Sequence, residues 1–216
     1  TSRIQCVYSW PMSCILRAHT TTGSVYMKAC SPLPFLADEP ALTSRLASLF
    51  PGRVPMPLGA QDGEQWMLLP DLGDPIRSVT ADEKADALAL FAEVQLQSVG
   101  HAAALLEMGC PARGLEWLQT QLDRLIENGK QPSATTEIEQ VRVLAPHLKD
   151  MCSQLATYRV PHALSHGDLF GGNIAQGPAS YIFFDWGSGS IAHPFFDAVQ
   201  LCDWEELGSP ARDRYL

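Results

Sequence analysis

Two short polar motifs near the carboxyl end of the chain contain the residue types that could do chemistry. One runs from His166 through Asp168 to Asn173, and the other begins at Asp185, directly after an apolar run at 181–184. In the first, the aspartate can receive or orient a substrate hydroxyl while the asparagine oxygen binds a metal ion. Asp185 adds an oxygen ligand of the kind that Mg²⁺ prefers. The spacing therefore predicts phosphoryl transfer, in which the protein mainly positions groups and stabilises charge.

Apolar strands and tight turns must hold these groups in place. The run 181–184 predicts a buried strand that ends at Asp185, and Gly171 and Gly172 allow the loop before Asn173 to turn tightly. The alternative is that the polar residues of the first motif merely cap a turn. Two motifs in register rarely coincide by chance, so the spacing favours the chemical interpretation.

The first seventy residues predict a small antiparallel sheet. Its strands are expected at 4–8, 14–18 and 25–30, followed by a pair at 54–58 and 65–69 around an Asp62-Gly63 turn. Strand residues alternate between faces, which puts Lys28 beside Tyr26 and Cys30, where it can project toward a cleft. A helix is expected at 40–50, where leucines recur at helical spacing.

The rest of the chain reads as mainly helical. Thr80 and Glu83 form a capping box that begins a helix running to about Met108. Apolar stripes predict two more helices, over 115–126 and from 136 onward, with a loop at 128–134 between them. The pattern as a whole predicts an α+β fold.

Composition excludes several classes of partner. The 216 residues are 46% hydrophobic, enough for one large domain or two joined lobes. The net charge of -9 argues against nucleic acid and against an anionic membrane surface, because either would require a basic patch. It is compatible with a cationic substrate.

Cysteine spacing and the chain ends predict the compartment. The six cysteines show neither a Cys-x-x-Cys pair nor zinc-like spacing, so they are expected to be free thiols. No apolar run reaches the roughly 18 residues of a membrane span and no signal peptide opens the chain, which favours a cytoplasmic location. Because the chain begins with Thr1 rather than Met, it is expected to be part of something longer.

The chain resembles the aminoglycoside phosphotransferase and choline kinase family, the small-molecule branch of the protein-kinase-like fold. That family carries His-Gly-Asp-x-x-x-x-Asn where protein kinases carry His-Arg-Asp, so Gly167 favours the small-molecule branch. The segment that begins at Asp185 continues through Gly189, Pro194 and Asp197, as in the family. The resemblance implies a bilobal fold, with a β-rich nucleotide-binding lobe at 1–70 and a mainly helical lobe at 71–216 that ends before the family's last helices.

For the nucleotide, the resemblance implies ATP, with GTP as the alternative, and Mg²⁺ held by Asn173 and Asp185. Lys28 on the third strand would grip the phosphates and be held by a carboxylate from the next helix. Glu39 is the expected partner, since it and Asp38 are the acidic residues between Lys28 and Arg53. The alternative is that Glu39 is a first-turn charge favoured by the helix dipole and Lys28 an ordinary strand residue.

Two further nucleotide contacts are implied by the same resemblance. The hinge spans residues 69–72, where Leu69 and Leu72 would bind the adenine edge through the main chain. The bend between the first two strands would cover the phosphates with Ser9 and Ser13 as donors. This bend contains Trp10 and no glycine, which departs from the Gly-rich loop of protein kinases.

In the resembling family, the catalytic loop has supporting residues around it. Asp168 is expected to be the catalytic carboxylate. His166 is implied to be architectural, with a hydrogen bond near the metal-binding turn, and Asp197 is implied to brace the loop.

The acceptor is expected to be a small molecule with a hydroxyl, such as an aminoglycoside, an amino-alcohol or a sugar amine. Asp203, Glu205 and Glu206 lie where the family forms its acceptor pocket and could pair with ammonium groups; the alternative is a solvated helix face. The protein is expected to be a monomer or a homodimer. A nucleotide-binding pseudokinase remains the alternative function, while Gly167 and the missing Ala-Pro-Glu segment disfavour a protein kinase.

Overall fold

A five-stranded antiparallel sheet forms the amino-terminal part of the protein. The computed structural model describes residues 4–61, 63–76, 80–128, 136–177, 181–201 and 215. The strand order is β1-β2-β3-β5-β4. The strands are β1 (Ile4–Trp10), β2 (Ser13–Thr20), β3 (Gly23–Cys30), β4 (Gly59–Ala60) and β5 (Trp66–Pro70).

One predicted strand is wrong. Residues 54–58 were expected to pair with β5, but the strand that does so is β4 at Gly59–Ala60. Pro55 and Pro57 lack the amide hydrogen that a ladder requires, so the segment is unsuited to pairing until Leu58, which donates to Leu68. Asp62 of the predicted turn lies outside the described residues.

Six helices lie within the described part of the chain. Asp38 caps the first by accepting from Ala41, and Pro40 supports its first turn. The predicted capping box of Thr80 and Glu83 is present at the start of the second. The helices are α1 (Glu39–Leu49), α2 (Ala81–Ser98), α3 (Ala102–Glu107), α4 (Leu115–Asn128), α5 (Thr136–Thr157) and α6 (Phe195–Leu201).

The single helix expected from Thr80 to about Met108 is two helices. A 3₁₀ turn at Val99–His101 separates α2 from α3. Gly100 in this turn accounts for the break, because glycine has a low helix propensity. Most of the loop predicted at 128–134 lies outside the described residues.

Two small sheets carry the polar motifs. The first has the order β6-β10-β7, and the second pairs β8 with β9. The strands of both sheets are only two or three residues long, so packing on helices rather than strand pairing stabilises the sheets. Their strands are β6 (Ala112–Arg113), β7 (Ala163–Ser165), β8 (Ile174–Gln176), β9 (Tyr181–Phe183) and β10 (Ser190–Ala192).

The hydrophobic core joins α1 to the helical part of the protein. Phe91 of α2 is fully buried and its ring lies 5.0 Å from Phe183 of β9 and 6.3 Å from Trp186. Leu42 and Leu46 of α1 belong to the same buried cluster. The core therefore packs directly beneath the segment that carries Asp185.

The architecture is α+β, as the sequence predicted, with a small antiparallel β lobe followed by a larger, mainly helical lobe. None of the helices in the described ranges combines the length and the apolar character that crossing a bilayer requires.

Replacing Phe91 by Ala should lower the free energy of unfolding by about 3–5 kcal/mol, because the cavity would open in a closely packed aromatic cluster. Leu96 on the same helix is 74% exposed. Leu96→Ala is therefore the matched control and should change stability by no more than about 0.5 kcal/mol. Urea unfolding of both variants measures the difference; equal losses would contradict the assigned core.

Candidate active site

Lys28 lies on the central strand of the sheet. β3 pairs with β2 on one side and β5 on the other, which places Lys28 opposite Ile15 and Met67. The side chain is buried, unlike those of its neighbours on the strand. The alternation of strand residues has turned an ammonium group toward the interior, where it needs a partner.

The Lys28 ammonium lies between two carboxylates. Its Nζ is 2.7 Å from Glu39 Oε1 and 2.7 Å from Asp185 Oδ1. Burial alone would lower the pKa of Lys28, but the charges of Glu39 and Asp185 outweigh burial and hold that pKa above its ordinary value. The structure therefore brings together the three charged residues that the sequence assigned to the nucleotide side.

Asp185 has an unusual backbone for a residue with a side chain. Its φ of 69° lies in the left-handed region, at the start of a 3₁₀ turn (Trp186–Ser188). The following Trp186 is fully buried and donates from Nε1 to the carbonyl of Phe183. Anchoring the tryptophan in the core thus turns the aspartate outward, where its side chain is 42% exposed.

Asp168 and Asn173 are joined by direct hydrogen bonds. The Asn173 Nδ2 group donates to the main-chain oxygen of Asp168 at 2.9 Å and to its Oδ2 at 3.1 Å. Asn173 is buried while Asp168 is exposed. The Phe170 ring lies over Gly172, where a Cβ would come within 2.2 Å of it, so a larger residue at 172 would force this ring to move.

Asp197 holds the start of the loop that carries Asp168 through the main chain. Its Oδ2 accepts from the His166 amide at 3.0 Å and its Oδ1 from the Gly167 amide at 2.9 Å. Burial raises the pKa of Asp197 to about 6, against the opposing effect of these amides. Gln95 of α2 also donates to Oδ2, at 3.2 Å.

His166 is fully buried and links the loop to the turn before Asp185. Its Nε2 lies 2.9 Å from the carbonyl oxygen of Phe184. Because a carbonyl only accepts, Nε2 carries the proton. Burial lowers the pKa of His166, which favours the neutral ring. Its ring lies 4.5 Å from that of Trp186.

Gly167 is required for two independent reasons. Its φ is +74°, and a Cβ at this position would lie 2.5 Å from the carbonyl oxygen of Ser188. The loop that carries Asp168 and the turn that follows Asp185 are therefore in contact through this glycine. The same Ser188 oxygen accepts from Arg113 at 3.1 Å.

One cleft of about 580 Å³ collects most of these groups. The aromatic side chains of Tyr8, Trp10 and Phe170 are exposed beside it and increase its apolar lining. Asp168 and Asp185 contribute carboxylates to the same space. Among the predicted site residues, those that line the cleft are Ser13, Lys28, Glu39, Asp168, Asn173 and Asp185.

Other predicted residues lie elsewhere. Ser9 is exposed on β1, paired with Cys14. Leu69 is buried on β5, opposite Tyr26, and Leu72 lines a separate cavity of about 660 Å³. The acidic residues at 203, 205 and 206 lie outside the described residues.

The bend between β1 and β2, which contains no glycine, is stabilised by a hydrogen bond between two side chains. Pro11 and Met12 form the turn between β1 and β2, and Trp10 Nε1 donates to Ser13 Oγ at 3.1 Å. With its oxygen accepting from the indole, the Ser13 hydroxyl hydrogen remains available to a ligand in the cleft.

Sequence reasoning missed four residues that support the site. Cys30 donates to Glu39 Oε2 at 3.2 Å, and its alternation with Lys28 was the signal that could have found it. Arg113 also donates to the carbonyl of Phe35, which ties the helical part to the segment before α1. Gln95 and Gln200 bond Asp197 and the loop backbone, respectively. These last three contacts are long-range and leave no local pattern.

Comparison with known proteins assigns the family. Residues 17–216 match the model of the family described as "Phosphotransferase enzyme family". The chain belongs to this family. Among curated proteins, no sequence matches it.

Solved structures of phosphotransferases share the fold. A choline/ethanolamine kinase family protein from Mesorhizobium loti aligns with a TM-score of 0.67 at 13% identity, covering 100% of this chain and 68% of that one. The choline kinase of Streptococcus pneumoniae gives 0.68 at 14%, with 99% and 74% covered. An aminoglycoside phosphotransferase of Streptomyces rimosus, solved with ADP and streptomycin, gives 0.62 at 20%, with 98% and 85% covered. This member of the family is thus built on the kinase-like fold.

Replacing Gly167 by Ala should destabilise the protein by more than backbone strain alone, because the new methyl group would meet the Ser188 carbonyl. Gly52 has a similar φ of +79° with open space around its Cβ position. Gly52→Ala therefore isolates the strain, about 1–2 kcal/mol. Thermal unfolding compares the two variants, and a Gly167→Ala loss no greater than that of Gly52→Ala would contradict the close contact.

Asp197 should make stability depend on pH in a defined direction. Because its pKa of about 6 in the folded protein exceeds the unfolded value of 3.8, its contribution is greatest at low pH and is lost as pH rises through 6. The parent should lose about 1.4 kcal/mol between pH 5 and pH 7.5 relative to Asp197→Asn, which does not titrate. Urea unfolding at both pH values measures this; parallel pH profiles would refute it.

Proposed function

We propose that this protein is an ATP-dependent phosphotransferase that moves the γ-phosphoryl group to a hydroxyl of a small molecule. The observation that carries the proposal is the single cleft in which Lys28, Asp168, Asn173 and Asp185 meet. An ammonium group, an exposed carboxylate and two oxygen-bearing side chains are the parts that phosphoryl transfer requires. Membership of the phosphotransferase family supports the same reaction class.

Lys28 is proposed to bind the nucleotide phosphates. It is charged and held by Glu39, so it is positioned before any ligand arrives. The main chain of residues 69–72 is proposed to bind the base, and the hydroxyl of Ser13, which lines the cleft, to donate to phosphate. The nucleotide-binding lobe would then be residues 1–70, with the catalytic groups on 71–216.

Asn173 and Asp185 fit a divalent metal ion. The Asn173 amide nitrogen donates to Asp168, which leaves its amide oxygen as a ligand, and the partly exposed Asp185 adds a carboxylate. Bound there, Mg²⁺ would neutralise charge on the β- and γ-phosphates. Asp185 would give up part of its contact with Lys28, which retains Glu39 as its partner.

Asp168 is proposed to orient the acceptor. Its carboxylate is exposed at the cleft and fixed at one oxygen by Asn173. The acceptor oxygen attacks the γ-phosphorus while the bond from that phosphorus to the bridging oxygen of ADP breaks. The hydroxyl proton passes to Asp168 and then to solvent, so that phosphorylated acceptor and ADP are the products.

The acceptor class proposed is a hydroxyl compound that also carries an amine: an aminoglycoside, an amino-alcohol or a sugar amine. The net charge of -9 suits a cationic molecule, and Asp203, Glu205 and Glu206 are the proposed partners of its ammonium groups. The structural relatives include choline kinases and an aminoglycoside phosphotransferase bound to streptomycin. We further propose a cytoplasmic location, where ATP is available to the reaction.

An ATP-consumption screen across aminoglycosides, choline, ethanolamine, sugars and fructosamines tests the function. At least one acceptor should stimulate ADP release with Mg²⁺ present. Asp168→Asn should lower that turnover by at least about 10²-fold, since it removes the group that takes the proton. Nucleotide binding without turnover for any acceptor would instead favour a nucleotide-binding pseudokinase.

Asp185→Ala is the matched variant for the metal role. It should lose Mg²⁺-dependent binding of ADP, whereas Asp168→Asn should retain it, because the two carboxylates serve different ligands. Calorimetric titration of both variants, with and without Mg²⁺, makes the comparison. Unchanged Mg²⁺-dependent affinity in Asp185→Ala would remove Asp185 from the metal site.

A further inference from the structure

The buried Glu39 carboxylate has two oxygens with different partners. Lys28 Nζ holds Oε1 at 2.7 Å, while Oε2 lies 3.2 Å from the sulfur of Cys30. Glu39 is only 3% exposed, so water has little access to either oxygen. The thiol of Cys30 therefore supplies the hydrogen bond that solvent would otherwise give to Oε2.

A buried ion pair needs more than its own attraction. The cost of removing two charges from water is offset only when the geometry is good and the remaining lone pairs are satisfied. Lys28 and Cys30 stand two residues apart on the same face of β3, so one strand presents both donors to Glu39. The pairing thus follows directly from strand alternation.

The protonation states agree with this geometry. Burial, followed by the charge of Glu39, raises the pKa of Cys30, so its sulfur keeps the proton that it donates. Burial also raises the pKa of Glu39, and the Cys30 hydrogen bond acts in the opposite direction by favouring the carboxylate.

Glu39 also lies beside the turn that follows Asp185. A Cβ atom at Gly187 would lie 3.3 Å from Glu39 Oε2, so a side chain at this position would crowd the carboxylate. The Gly187 carbonyl accepts from Ala37, two residues before Glu39. The Glu39 carboxylate and the turn that presents Asp185 are therefore close neighbours.

We propose that Cys30 is a positioning residue of the phosphotransferase, which fixes the Glu39 carboxylate so that Lys28 is held for the nucleotide phosphates. This role goes beyond the family resemblance and rests on the proposed function for its nucleotide half. Cys30 acts through Glu39 and takes no part in the transfer itself.

Titration of Mg-ADP into Cys30 variants tests the nucleotide half. Cys30→Ala should weaken binding about tenfold, because it leaves a buried carboxylate oxygen without a donor. Cys30→Ser keeps a donor and should remain within about threefold of the parent. Cys14→Ala on the neighbouring strand is the control and should bind as the parent does. Parent-like affinity in Cys30→Ala would overturn the proposal.

A double-mutant cycle shows whether Cys30 acts through Glu39. If it does, Cys30→Ala should add less than about twofold to the loss already caused by Glu39→Gln. A general structural effect of the alanine would persist in the double variant, so losses that multiply would refute the positioning role. With substrate turnover, KM for ATP should change more than kcat.

Infrared spectroscopy tests the contact without any nucleotide. The S–H stretching band of Cys30, identified by its loss in Cys30→Ser, should lie at lower frequency than that of Cys14 and should rise in Glu39→Gln. An unshifted band would refute the hydrogen bond. If the parent fails to bind Mg-ADP, the nucleotide function fails, while this band still decides whether Cys30 holds Glu39.

Discussion

A buried ammonium group that must be neutralised is the constraint on which the rest of the structure depends. The Nζ of Lys28 lies 2.7 Å from a carboxylate oxygen of Glu39, which is 11 residues away in sequence, and 2.7 Å from one of Asp185, which is 157 residues away. The loss of either carboxylate would leave a buried charge partly uncompensated, which is costly in a poorly solvated interior. The sheet, α1 and the turn after β9 are thereby held at fixed separations, since all three must reach one nitrogen atom.

The opposite wall of the cleft is ordered through main-chain groups rather than through charge pairs. Asp197 binds the amides of His166 and Gly167, so the start of the loop that carries Asp168 is held through its main chain. The turn after Asp185 joins the two systems, because its Gly187 carbonyl binds the segment before α1 and its Ser188 carbonyl contacts Gly167. The carbonyl groups of Gly187 and Ser188 thus link the two walls of the cleft.

Local patterns predicted the parts of the structure that depend on local physics. The first three strands, the direction of Lys28 and the capping box of Thr80 follow from alternation and end-capping, which neighbouring residues decide. The strand expected at 54–58 does not form, because its apolar pattern predicts a strand but its two prolines lack the amide hydrogens that pairing requires. The break at Gly100 had a local signal, the glycine itself, that the apolar pattern outweighed, whereas the contacts of Arg113 depend on distant segments, so no window of sequence contains them. The assigned roles of the site residues remain predictions.

The left-handed backbone of Asp185 limits the mutational routes open to this protein. Glycine or asparagine would suit a φ of 69° but would abolish the carboxylate, while glutamate would keep the charge at the cost of backbone strain. Substitutions that suit the backbone here are therefore those that remove the carboxylate. A substitution that relieves the backbone strain at this position therefore also removes a charge that faces Lys28, so backbone conformation and electrostatics cannot both be optimal there.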